Sequence, residues 1–188
     1  MADQDVITLL EQDHREIEGI FDELETLRGD HSDAANAKRK DLTDRVTIEL
    51  VRHSVAEEVL VYPEVAKEIS EDEAKHAREE HAEAEETLAK LEKLDPGDQA
   101  FDDELATLMQ EIRHHIRDEE GEMFAHMRQT FPEDDLQKMG SRVAAFKKVA
   151  PTHPHPNVPN EALPRIAAGP MASLVDHMRD LATGRSKT

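Results

Sequence analysis

Four histidines and two glutamates occupy positions where neither residue type belongs. His14, His53, His81 and His115 each fall on the apolar stripe of a different predicted helix, and Glu57 and Glu119 share two of those stripes. An unpaired buried carboxylate is expensive and must shift its pKa or find a partner. Two of them beside four imidazoles in one narrow core need a common cause, and a pair of cations supplies it. Imidazole and carboxylate suit iron, manganese or zinc. A Glu four residues after a His lies one turn along the same face, so Glu57 and Glu119 are placed to bridge two ions. His53 and His115 are then terminal ligands, and His14 and His81 complete the six. Six protein ligands shared by two ions leave positions open for an oxo or hydroxo bridge and for a small oxidant.

Spacing alone is weak support. Acids are so frequent that six of the eleven histidines (His14, His53, His76, His81, His114 and His115) have one four residues on. On a solvent face such a pair only adds about 0.2–0.5 kcal/mol to a helix. Phase separates the cases, and so does depth. Counted from the intervening turns at 1.5 Å per residue, the six groups converge within roughly two helical turns.

The elements that must position them are helices. The first runs from about Asp5 to Arg28, with Ile7, Leu10, His14, Ile17, Phe21 and Leu24 on one face and Gly29 as C-cap. The second starts near Ala34 or Ala35 and carries Leu42, Val46, Leu50, His53, Glu57 and Leu60; Pro63 kinks or ends it near Tyr62, with a short continuation to Ile69. Ser70 and Glu73 form a capping box that opens the third, whose stripe is Ala74, Ala77, His81, Ala84, Leu88 and Leu91. Asp95-Pro96-Gly97 stops it. The fourth follows from about Gln99, with Leu105, Leu108, Ile112, His115, Glu119 and Met123 facing inward. Short connections between four long helices predict an all-α, up-down-up-down four-helix bundle over residues 1–130. A shorter fifth helix from Pro132 to about Lys148 occupies 131–150. Residues 151–188 begin with a stretch (151–170) holding six of the nine prolines, an extended linker, and end in an amphipathic helix from Met171 to about Ala182.

Composition narrows the classes. With 43 acids against 23 bases the net charge is −20, which repels nucleic acid and anionic membrane surfaces and attracts cations. The lack of cysteine removes disulfides, zinc–thiolate sites and iron–sulfur clusters. No apolar run has membrane-spanning length and the first residues do not read as a signal peptide, so the expected location is cytoplasmic.

Taken in order, Leu9-Leu10-Glu11-Gln12-Asp13-His14, His53-Ser54-Val55-Ala56-Glu57-Glu58 before Tyr62-Pro63, Glu80-His81, and His114-His115 through Glu119-Glu120 resemble the hemerythrin-like HHE cation-binding domain, over about residues 5–130. The Pro-rich tail is similar to that of actinobacterial members. The resemblance implies a non-haem di-iron centre that meets dioxygen, hydrogen peroxide or nitric oxide, or that senses iron and oxygen. This chain departs from the family's oxygen carriers, which have a second His where Glu85 stands and an Asp five residues after the His of the fourth helix. More anionic oxygen favours ferric iron, which points away from reversible carriage. Peroxide decomposition, oxidase-like turnover and sensing remain as readings. In the sensing case metal orders the bundle and the C-terminal helix signals to a protein partner. A metal-free interaction bundle is the third reading.

Each residue has a blander reading. For His14 and His81 it is a core His bonded to a nearby acid. Glu85 is evenly a seventh ligand or part of a solvated face. Tyr62, the only tyrosine, either meets the iron or a bridging oxygen, or caps the bundle edge. His114 reads as a neighbour of the site and His126 as packing; His31, His76, His153, His155 and His177 read as non-ligands. The acidic runs Glu79-Glu80 and Asp118-Glu119-Glu120 read as mostly solvated.

Overall fold

Side-chain caps open three of the long helices. Asp5 accepts the Thr8 N–H (3.0 Å), Ser32 that of Ala35 (3.3 Å) and Ser70 that of Glu73 (3.2 Å), each satisfying a backbone donor that the first turn leaves unpaired. The structure is a computed structural model and describes residues 4–156 and Asp176. The expected helix from Met171 to Ala182, apart from Asp176, and most of the Pro-rich stretch lie outside the described residues.

The helices are α1 (Val6–Thr26), α2 (Asp33–Leu60), α3 (Tyr62–Glu68), α4 (Glu71–Leu91), α5 (Gln99–Asp118), α6 (Phe124–Thr130) and α7 (Glu133–Lys147). A π-helical turn, Glu119–Met123, joins α5 to α6 without a break. Helices α1, α2, α4 and α5 form the all-α bundle read from the sequence. Helix α1 ends at Thr26, short of the expected Arg28, and Gly29 follows with φ 78°, the left-handed geometry of a helix terminator. The break before Pro63 falls at Val61, between α2 and α3.

Apolar side chains gather in two clusters at different levels. One holds Ile17, Phe21, Leu24, Leu42, Leu50, Leu88, Leu105 and Ile112. The other holds Val6, Ile7, Leu10, Ala56, Tyr62, Ala77, Met123 and Phe124, together with Leu136, Met139 and Val143 of α7. Gly140 lets α7 lie against the start of α1, because a Cβ there would stand 2.2 Å from the Gln4 carbonyl oxygen. Between the clusters lies a layer of charged and imidazole side chains, since His14 falls between Leu10 and Ile17 and His53 between Leu50 and Ala56 along their helices.

Among the described residues no helix is long and apolar enough to cross a membrane. At the far end of the bundle Arg39 is buried over the Phe101 ring, paired with Asp102 and bonded to the Pro96 carbonyl, which ties α2 to the turn before α5.

Candidate metal centre

Three or four residues separate His14, His53 and His81 from the buried apolar residues on either side, and His115 lies three after Ile112, so the packing of both clusters fixes the imidazoles at one level. His14, His53, His81 and His115 are 1–3% exposed, Glu57 0% and Glu119 2%. Their coordinating atoms form two groups, His14–His53–Glu57–Glu119 and Glu57–His81–His115, each with its atoms within 4.8 Å of one another. Glu57 belongs to both. Its Oε2 lies 3.2 Å from His53 Nε2 and 3.5 Å from His81 Nε2. Glu119 mirrors it, with Oε2 3.5 Å from His14 Nε2 and 3.4 Å from His115 Nε2.

The other nitrogen of each ring meets a carboxylate of the neighbouring helix. Nδ1 of His53 faces Asp13 of α1 (3.3 Å), Nδ1 of His81 faces Glu58 of α2 (3.1 Å), and Nδ1 of His115 faces Glu80 of α4 (2.9 Å). Nδ1 of His14 faces Glu120 of the π turn (2.8 Å), which Arg15 also holds. The ring of partners closes around the bundle: α1 serves α2, α2 serves α4, α4 serves α5, and the end of α5 serves α1. Nδ1–H donation to a carboxylate fixes the tautomer whose Nε2 carries the lone pair, the arrangement that orients histidines towards metal.

Those Nε2 atoms converge in pairs, 3.2 Å apart for His14 and His53 and 3.1 Å for His81 and His115. Lone pairs facing at that distance, next to two carboxylates, repel unless a proton or cation lies between them. Glu57 Oε1 and Glu119 Oε2 are buried and make no hydrogen bond among the described residues. Converging nitrogen lone pairs, two carboxylates reaching both pairs and orphaned carboxylate oxygens together fit the binding of metal cations.

Without metal the layer is electrostatically strained. Burial, then the charge of Glu119, pushes the Glu57 carboxyl well above its usual range. Burial also disfavours the Glu119 charge, but His115 and His14 outweigh it and hold that carboxyl well below the usual range. His115 is correspondingly raised: Glu119, Glu80 and Glu57 overcome burial. Burial lowers His53 to about 4 and also lowers His81.

Tyr62 lies inside the layer. Its hydroxyl donates to Glu119 Oε1 at 2.8 Å and stands 3.2 Å from both Glu57 Oε2 and His81 Nε2. Burial and the two carboxylates push the phenol pKa well up, so it stays a donor. Glu85 is buried one turn beyond His81, but its Oε1 accepts the His155 backbone N–H at 2.8 Å and it belongs to neither group of converging atoms. His153, expected in a linker, is buried with Nδ1 2.6 Å from Glu92, so residues 153–155 lie along α4. His126 meets Glu73 (3.2 Å), and His76 and His114 are exposed. A narrow, mainly apolar slot between α2 and α4, lined by Val51, Val55, Ala84, Leu88 and His81, has a free volume of about 10 Å³, enough for one water-sized molecule.

Sequence reasoning missed the outer carboxylates. Glu80 and Glu120 fell within acidic runs read as mostly solvated, and Asp13 and Glu58 were given no role. The available signal was adjacency, since each is the chain neighbour of an inward ligand candidate. It also missed the π turn, in which the Phe124 N–H bonds back to the Glu119 carbonyl. The extra residue leaves the Phe124 ring stacked on His14 at 5.9 Å and 4°; such turns recur at functional sites.

The chain matches the family model described as hemerythrin HHE cation binding domain over residues 5–127. It is 31% identical over 171 residues to an uncharacterized hemerythrin-like protein of Schizosaccharomyces pombe, spanning 87% of this chain and 84% of that one. It is 22% identical over 145 residues to a DNA nickase of Nostoc, a match of 77% of this chain but 40% of the nickase. No solved structure gives a significant match.

Proposed function

The chain belongs to the hemerythrin HHE cation-binding family, and on that premise we propose that it is a di-iron protein that decomposes hydrogen peroxide. The observation that carries this reading is the paired convergence of four Nε2 atoms on two carboxylates that each reach both pairs. His14 and His53 would hold one iron, His81 and His115 the other, and Glu57 and Glu119 would bridge them. Bound there, the irons supply the electron exchange that turns two peroxides into two waters and one dioxygen.

The chain's own residues supply the rest. Asp13, Glu58, Glu80 and Glu120 hold the imidazoles in the ligating tautomer. The Tyr62 hydroxyl, kept protonated by burial and anionic neighbours, offers a hydrogen bond at the inner face of Glu119. The slot between α2 and α4, with room for one water-sized molecule, is the narrow approach to His81 and shuts out bulky reductants. Glu85 accepts the His155 N–H and stands outside the two converging groups, so the six inward side chains would hold the irons without it.

Purified, iron-loaded protein should evolve dioxygen from peroxide, and a Tyr62→Phe variant should keep its iron but turn over more slowly. No oxygen evolution from an iron-replete sample overturns the reading. A sensing role is the second reading, favoured by the docking of residues 153–155 on α4 beside His81. Slower hydrogen exchange at 151–156 on iron binding, without turnover, supports it. The Nostoc nickase extends well beyond the matched region, and a net charge of −20 opposes contact with phosphate backbones, so the proposed function includes no nucleic acid.

A further inference from the structure

On the outer face where α4 meets α5, two His-x-x-x-acid pairs confront each other. His76 and Glu80 stand one turn apart on α4, and His114 and Asp118 one turn apart on α5. His76 Nε2 lies 3.6 Å from Glu80 Oε1 and 3.8 Å from Asp118 Oδ2. His114 Nδ1 lies 3.9 Å from the same Glu80 oxygen and 3.3 Å from Asp118 Oδ1. Ligand atoms of His76, Glu80 and Asp118 fall within 4.8 Å of one another.

These separations are informative because none of the four approaches is a hydrogen bond, which would bring nitrogen and oxygen to about 2.7–3.2 Å. They lie near the spacing of about 3.4 Å between neighbouring ligand atoms around an ion bonded at about 2.0–2.2 Å; His76, Glu80 and Asp118 converge, and His114 stands beside them on the other Asp118 oxygen. Isolated i, i+4 pairs on a solvated face have no reason to bring donors from two helices together. The imidazoles are 60% and 58% exposed, so an ion reaches them without any opening of the bundle. The strongly negative chain concentrates cations at its surface.

We propose that His76, Glu80, His114 and Asp118 form a second, surface site for one divalent transition-metal ion of the zinc or ferrous class, separate from the buried centre. Two imidazoles and two carboxylates select borderline first-row ions over calcium or magnesium. Glu80 joins the two sites: one oxygen faces the surface cluster while the other holds His115 Nδ1 at 2.9 Å. A surface ion therefore binds the carboxylate that orients an inner histidine, which couples surface loading to the buried layer. The ligands of the surface site are in place whatever the buried layer holds, and the coupling through Glu80 acts in both directions.

The test is zinc titration of the full iron-loaded chain by calorimetry, with elemental analysis of zinc bound and iron released. The comparison is a His76→Ala, His114→Ala double variant, which leaves Glu80 and the buried ligands intact. The expected result is one zinc per chain beyond any that replaces iron, with affinity at least tenfold weaker in the variant. The iron content and metal-free melting curve should be the same in both. Equal zinc stoichiometry and affinity in the two proteins would overturn the proposal, whatever the iron content. If the double variant melts early, the single His76→Ala variant carries the same comparison.

Discussion

Replacing Glu57 by Met should make the metal-free protein more stable and abolish metal binding. Glu57 is fully buried, its Oε1 makes no hydrogen bond, and burial with Glu119 beside it lifts its pKa far from the usual range. A buried polar group left unsatisfied costs about 1–3 kcal/mol, and an apolar residue of similar length relieves that cost without opening a cavity. Tyr62 keeps its shorter bond to Glu119 Oε1, at 2.8 Å, so the substitution does not orphan the phenol. The metal-free variant should therefore gain about 1–3 kcal/mol, which for a chain of this size is about 2–12 °C in melting temperature. With iron the order reverses: the wild type gains about 4.1 kcal/mol when free metal is a thousandfold above its Kd, and the variant gains nothing. Thermal unfolding followed by circular dichroism, with chelator and then with iron, reads both signs. A metal-free variant less stable than the metal-free wild type by more than about 1 kcal/mol would refute the reasoning, because Glu57 would then be a structural partner rather than a ligand held in reserve.

Three further outcomes follow from the same geometry. Asp13→Ala frees His53 Nδ1 and should weaken metal binding about 10–100-fold, whereas Lys147→Ala, which removes the 2.6 Å ion pair to Asp13 and a 4.0 Å one to Glu49 but leaves His53 Nδ1 its partner, should leave affinity within a few-fold; equal effects would contradict the positioning role. Gly140→Ala drives a Cβ into the Gln4 carbonyl and should destabilise the fold by about 1–3 kcal/mol in denaturant titration; a neutral result would argue against the α1–α7 packing. Asp5→Ala should cost about 1 kcal/mol at neutral pH. Burial works against the Asp5 charge, but the Thr8 N–H and hydroxyl outweigh it and hold the carboxyl below 3.8, so its stabilisation is full above that pH and fades as pH falls through the folded value. The gap between wild type and variant should close in acid, and a gap that widened there would contradict the cap.

The bundle was legible because its apolar residues step by three and four and because Asp5, Ser70, Gly29 and Pro63 punctuate the chain at helix ends, whereas the Ser32 cap that starts α2 at Asp33 went unread. The six inward groups were legible for the same reason, as polar residues in an apolar phase. The outer carboxylates were not, for a geometric cause: a residue next to a ligand candidate points about 100° around the helix, out of the inward face and towards the adjacent helix. In so acidic a chain, a Glu pointing at a neighbour's imidazole looks the same as one pointing at water. Glu58 and Glu80 show the difference only once α2, α4 and α5 are packed. The π turn at Glu119 leaves no trace in hydrophobic periodicity, since one extra residue resembles ordinary drift of the stripe. The docking of His153 and His155 depends on Glu92, Glu85 and the distant Asp176, partners that no local pattern links.

Metal content decides the matter most directly. Elemental analysis and an absorption spectrum of the protein as purified should give two irons per chain with near-ultraviolet bands of oxygen-bridged ferric iron, both lost in a Glu57→Met, Glu119→Met double variant that still folds as a helical bundle. A wild type that binds no iron under iron-replete expression, or a double variant that keeps both ions, would contradict the assignment of the buried layer as a dinuclear centre.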